Sequence, residues 1–221
     1  MCFRVNRAAW FVPALLLIAP LASSAQTPER SRTEGLKETE RFVKAGGNTS
    51  EAVANARLQL QRTLDSYNAL VTEPSKNMKG DYKKLMKSMD SMNDKLADAR
   101  EKVENMQQAG DTYFAGRAST IENIQDAQLR ETATQRMTES QKEFAGVLRS
   151  LRETSEALEP FRKELADQIT FLGSDLTPSA MTALQPNAEK LNARGAELFA
   201  RTDSSITTAN TYFQGLKASP S

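Results

Sequence analysis

Histidine is absent from the chain, and cysteine occurs once, at position 2. Without imidazole there is no near-neutral general base, no imidazole metal ligand and no charge switch in the physiological pH range. A lone thiol cannot close an intrachain disulfide or build a zinc–thiolate site. Aromatic residues make up 6% of the sequence and hydrophobic residues 39%, too little for a thick globular core. The 10 glycines form no phosphate-cradling loop motif. Lysine and arginine number 29 against 28 acidic residues, so there is no basic surplus of the kind nucleic-acid binding requires. What the chain does have is alanine, glutamate, lysine, leucine and arginine in abundance, the composition of long helices and coiled coils.

The first 25 residues stand apart. Arg4 and Arg7 precede an apolar run from Ala8 to Ala22, and Ser23-Ser24-Ala25 supplies the small residues that signal peptidase needs. Residues 1–25 therefore read as a signal peptide cleaved after Ala25, which predicts a bacterial protein exported to the periplasm or beyond. The run is broken by Pro13 and Pro20 and is shorter than the roughly 20 residues that span a bilayer. Cys2 lies ahead of the run, whereas a lipoprotein cysteine follows it, so the thiol leaves with the leader. Losing Arg4 and Arg7 leaves the remainder close to neutral.

Apolar spacing organises the rest. Residues 26–47 read as a flexible leader, with a short helix from Leu36 to Ala45 ended by Gly46-Gly47. Asn48-Thr49-Ser50 offers the cap of the next helix, which carries Val53, Ala56, Leu60, Leu64, Tyr67 and Val71 until Glu73-Pro74. The same three residues also match a glycosylation sequon, which capping explains equally well. The strongest signal follows: Tyr82, Leu85, Met89, Met92, Leu96, Ala99, Val103 and Met106 alternate steps of three and four, a narrow one-sided heptad seam. It runs for about 37 Å at 1.5 Å per residue and needs a partner. Residues 123–128 predict a reversal. A second rod then carries apolar residues to Leu172, with Pro160 inside it as a kink and not a stop. Thr177-Pro178 predicts the last helix, with threonine as cap and proline in its first turn. The tail, 218–221, should fray. The spacing thus predicts an all-α fold, an elongated antiparallel helical bundle or coiled-coil hairpin of three to four long helices over residues 48–217.

Several of these segments, taken in order, match a family. Asp81-Tyr82-Lys83-Lys84-Leu85 opens the first rod, Tyr113-Phe114 lies near its end, and Leu129-Arg130 opens the second rod. Leu158-Glu159-Pro160, Ile169-Thr170-Phe171-Leu172 and Leu176 follow. This order resembles the bacterial envelope family designated domain of unknown function 2959. The resemblance implies an extended secreted helical protein and carries no activity, cofactor or catalytic residue with it. One departure is Arg117, at a place where the family pattern leads one to expect tryptophan.

Four groups of residues invite a functional reading. Met86, Met89 and Met92, with Met78 nearby, are soft ligands suited to Cu(I). Their spacing puts Met86 and Met92 about 120° apart on the helix, and Met89 and Met92 belong to the seam, where methionine is an adaptable packing residue. The reading is therefore no metal and no cofactor. The acidic pairs Glu101/Glu104 and Glu153/Glu156 could act as acid and base only across a cleft, and cationic neighbours mark them as surface charges. Lys83, Lys84 and Lys87, with Lys76 and Lys79, form a local basic run that could meet a protein or an anionic membrane, although overall neutrality argues against lipid. Tyr113 and Phe114, with Tyr212 and Phe213, offer either an exposed aromatic contact patch or the closure of the bundle core. Together these features predict a non-enzymatic structural or interaction protein of the cell envelope, whose partner is another protein or a second copy. A peripheral membrane-associating bundle is the alternative.

Overall fold

Long stretches without an interior stop signal become four helices in the computed structural model, which describes residues 28–218, with side chains from residue 33 onward. The helices are α1 (Pro28–Thr72), α2 (Met78–Glu122), α3 (Ala127–Ser174) and α4 (Pro178–Ala218). Among the described residues there is no strand. At 1.5 Å per residue each helix is about 60–70 Å long. The segment expected to be a signal peptide, with Ala25 and Cys2, and residues 219–221 of the tail lie outside the described residues; Ala218 ends α4.

Each boundary has a local cause. The Gly80 N–H donates to Asn77 Oδ1 at the start of α2 (3.2 Å), and the Leu129 N–H donates to Asp126 Oδ1 at the start of α3 (2.9 Å). The Ala180 N–H donates to Thr177 Oγ1 at 3.3 Å, so the Thr-Pro start of α4 behaves as the spacing predicts. Helix α3 passes through Pro160 without ending, and α4 passes through Pro186.

Four amphipathic helices with short connections bury their stripes most simply as an up-and-down bundle. Each helix packs against its sequence neighbours, and α4 closes the ring on α1. Cross-helix bonds fix the antiparallel register. The Thr49 hydroxyl donates to the Lys102 carbonyl (2.8 Å) and that of Thr63 to the Ser88 carbonyl (3.1 Å), joining α1 to α2. Ser150 and Thr154 both meet Ser205, joining α3 to α4.

The heptad seam lies inside. Leu85, Met89, Met92, Leu96, Ala99 and Met106 are all buried. The partner that the seam needs is the chain's own α1, α3 and α4.

The interior comprises two apolar clusters. The larger is aliphatic and uses Leu60, Leu64, Leu85, Met92, Leu165 and Leu191 among others. The smaller is aromatic, with Phe42, Tyr113, Phe114, Phe144, Tyr212 and Phe213 at one end of the bundle. Phe42 is fully buried, with ring centroids of Phe144, Tyr113 and Phe213 at 4.8, 5.0 and 5.1 Å. Where the two clusters adjoin, buried Thr49, Ser50, Thr154, Thr202 and Ser205 bring hydroxyls into the core. Inside the larger cluster the Tyr67 hydroxyl donates to Gln168 Oε1, which satisfies both buried groups. Burial pushes the Tyr67 phenol up to about 12.

The flexible leader expected over residues 26–47 is, from Pro28 onward, helix. Residues 28–47 are the first half of α1, continuous with the segment after it, and they supply Phe42 and Val43 to the aromatic cluster. Gly46-Gly47 does not end a helix, because neither glycine has positive φ. A Cβ on Gly46 would lie 2.2 to 2.4 Å from three ring atoms of Phe213, so this glycine provides close approach and not a turn. Likewise Thr49 is no cap. Its hydroxyl also donates to Ala45 O (2.9 Å) within an unbroken helix.

Candidate functional site

A polar groove of about 600 Å³ lies between α2 and α3, lined by Asn93, Leu96 and Arg100 from α2 and by Ser155, Glu156, Glu159 and Arg162 from α3. The antiparallel register makes it: Arg100 on the descending helix comes level with residues 155–159 on the rising one. Pro160 adds to the polarity of this wall, since a proline has no N–H to donate and leaves the Glu156 carbonyl without its intrahelical partner.

Glu159 is the electrostatic centre of the groove. Arg162 donates to both of its oxygens, at 2.7 and 3.2 Å, and Arg100 Nη2 donates to Oε2 at 3.2 Å. Arg100 Nε also donates to Ser155 Oγ at 3.3 Å, so one guanidinium ties α2 to two turns of α3. The Arg162 bond, followed by the Arg100 bond, lowers the Glu159 carboxyl to about 2 against the cost of partial burial. A carboxylate so acidic is a poor general base at neutral pH. Asn93 Oδ1 is buried here with no hydrogen-bond partner among the described residues.

A pH dependence follows. The folded pKa of Glu159 is depressed, so its pairing stabilises the bundle above the ordinary carboxylate range and is lost as pH falls from about 4.5 through about 2. The side chain is 34% exposed, which limits the effect to about 1 kcal/mol or less after screening. A carboxyl NMR titration should place Glu159 well below the ordinary glutamate value of 4.5. Arg162→Met should move it back toward 4.5, and an unchanged midpoint would dissociate the shift from that pair.

The sequence-predicted candidates are scattered. Met89 and Met92 are buried in the aliphatic cluster, whereas Met86 is 38% exposed, so the three thioethers are not brought together. Among the described residues no group of three His, Cys, Asp or Glu is placed to hold a metal. Tyr113 and Phe114 are corrected: they are buried at 5% and 6% exposure in the aromatic cluster and form no surface patch. Arg117, at the departure from the family pattern, donates to Tyr113 Oη (2.8 Å), and its guanidinium lies 6.0 Å over the Tyr113 ring. Glu153 pairs with Arg201 (3.2 Å) and Glu101 with Lys102 (3.5 Å). Glu156 lines the groove. Lys83, Lys84 and Lys87 are exposed on α2, with Lys84 paired to Asp81 at 3.0 Å.

The groove itself is not legible in the sequence. Arg100, Glu159 and Arg162 meet only through the register of two helices. The one local hint is Glu159 three residues before Arg162, a spacing that places both on one face of a helix.

Four long antiparallel helices, with a charged groove between two of them, define an all-α bundle whose outward faces are mostly polar, with Leu36, Leu58, Met86, Leu129 and Phe171 exposed among them. The chain belongs to the family described as Protein of unknown function (DUF2959), which matches residues 29–216. No curated protein and no solved structure matches it.

Proposed function

We propose that this protein is an exported, non-enzymatic module of the bacterial cell envelope that works by presenting charged helix faces to another protein or to its own copy. The observation that carries this reading is the outward side of α2. There Lys79, Lys83, Lys84 and Lys87 are all exposed at one end, with Lys76 exposed in the connection just before the helix, and Asp90, Asp94, Glu101 and Glu104 are exposed further along. Most apolar residues of the same helix are used internally, Met86 being the exposed exception, so recognition falls mainly to these charges. Export rests on the signal-like leader.

Cell fractionation with N-terminal sequencing of the recovered protein tests the export half of the proposal; a mature chain beginning at Gln26 in the periplasmic fraction is expected, and an intact leader in the cytosol contradicts it. Photo-crosslinkers placed at Lys83 and Glu101 in living cells test the interaction half. Discrete crosslinked bands are expected, and their absence at both positions contradicts it.

A second reading, peripheral association with an anionic membrane surface, is favoured by the same lysines at one end of the bundle. No helix of the described residues is long and apolar enough to cross a membrane. Co-sedimentation with vesicles containing anionic lipid separates the readings: binding lost in Lys83→Glu/Lys84→Glu supports the membrane.

A further inference from the structure

The charges on α2 are ordered by position as well as by sign. Lys79, Lys83, Lys87, Asp90, Asp94, Asp98 and Glu101 follow steps of four, four, three, four, four and three. At 100° per residue these steps keep all seven within one sector of the helix about 100° wide. That sector lies opposite the buried seam of Leu85, Met89, Met92 and Leu96. Six of the seven side chains are exposed, and Asp98 is half-buried. The ridge is therefore a band of charge about 33 Å long, cationic over its first half and anionic over its second.

Such a band is complementary to itself when reversed. Laid antiparallel on a second copy about a twofold axis at Asp90, Lys79 faces Glu101 of the copy, Lys83 faces Asp98 and Lys87 faces Asp94. Symmetry makes each pair twice, as an isologous contact requires. A parallel arrangement would set lysines against lysines and acids against acids. We infer that this protein associates with a second copy of itself through the outward ridge of α2, antiparallel, with the twofold axis at Asp90. The pairing deepens the interaction-module reading given above and rests on it.

Other charges flank the ridge, among them the exposed Lys95 beside its anionic half. Lys102 reaches Asp98 and Glu101 from its own helix at 3.6 and 3.5 Å, the long end of the ion-pair range, and Lys84 is held by Asp81 on the flank. Arg100 is committed to Glu159 across the α2–α3 groove. Asp90 meets its own copy on the axis, the one like-charge contact in the arrangement. The interface has no apolar centre, so the dimer is weak, and salt screens it.

Sedimentation equilibrium of the purified protein tests the pairing. Wild type should dimerise at low ionic strength, and its association constant should fall about tenfold or more as salt rises past the point where the screening length shrinks below about 10 Å. Lys79→Glu/Lys83→Glu/Lys87→Glu should be monomeric, as should Asp94→Lys/Asp98→Lys/Glu101→Lys. An equimolar mixture of the two should form a heterodimer, and a chain carrying all six changes should dimerise with itself again. Asp90→Asn should tighten the wild-type dimer. Circular dichroism on each variant confirms that the bundle is folded. A wild-type chain that remains monomeric at low salt, or a six-fold variant that stays monomeric while folded, overturns the pairing; so does a monomer that instead sediments with anionic vesicles. Those results leave the module reading to the crosslinking experiment, whose bands would then identify a different partner.

Discussion

Phe42→Ala is expected to destabilise the bundle by about 3–5 kcal/mol, the range for emptying a fully packed aromatic site. Phe42 comes from the part of the chain that reads as a leader, yet its ring is surrounded by Tyr113, Phe114, Phe144, Tyr212 and Phe213, contributed by the three other helices. Removing it takes away the ring that all four helices share at this end. Collapse of the neighbouring rings cannot fill the space without moving α1, because α1 is continuous into the aliphatic cluster through Ala52, Ala56 and Leu60. Denaturant unfolding followed by circular dichroism should show the midpoint drop with little change in slope. A loss below about 1 kcal/mol, the ordinary scale of a surface change, would mean that residues 28–47 do not pack as described.

Neighbouring glycines give the second large effect, with opposite signs. Gly47→Ala meets no atom within 4 Å and should stabilise α1 by about 1 kcal/mol, the usual gain for removing a glycine from a helix interior. Gly46→Ala pushes a methyl to within 2.4 Å of the Phe213 ring, and should cost about 1–3 kcal/mol through overpacking. Phe213 cannot simply swing away, since its ring lies 5.0 Å from Tyr212 and 5.1 Å from Phe42. Gly110→Ala should resemble Gly46→Ala, because its Cβ would come within 2.4 Å of Phe144. Thermal unfolding of the three single variants checks this ordering; equal stabilisation by Gly46→Ala and Gly47→Ala would contradict the close approach of α1 and α4.

These residues also mark where the sequence was readable. The seam on α2 was legible because burial follows a three-and-four rhythm that sequence alone displays, and every helix junction carried a recognisable signal: Glu73-Pro74, the reversal after Glu122, and Thr177-Pro178. Gly46-Gly47 carried the wrong signal. A glycine pair after a helical stretch has the look of a C-cap, and nothing local reveals that the bulk of Phe213, well over a hundred residues away, dictates the choice. Tyr113 and Phe114 were ambiguous for a related reason: the sequence places aromatic pairs near the ends of two helices but does not say whether those ends converge. The groove was illegible because its arginines lie on different helices, and their meeting depends on a register set by the Thr49 and Thr63 bonds and by core packing. The charge ridge of α2 is the converse case. Its spacing is visible in the sequence, and it gains meaning once the opposite face is known to be buried.

The central claim is that all four apolar stripes are consumed within one chain, with α1 running unbroken through Gly46-Gly47. Hydrogen–deuterium exchange of the peptide covering residues 42–52 measures this most directly. Exchange as slow as that of residues 85–96 on the seam is the result expected of one continuous, packed helix. Rapid exchange at residues 42–52 beside a protected seam would show a leader and a shorter bundle in its place.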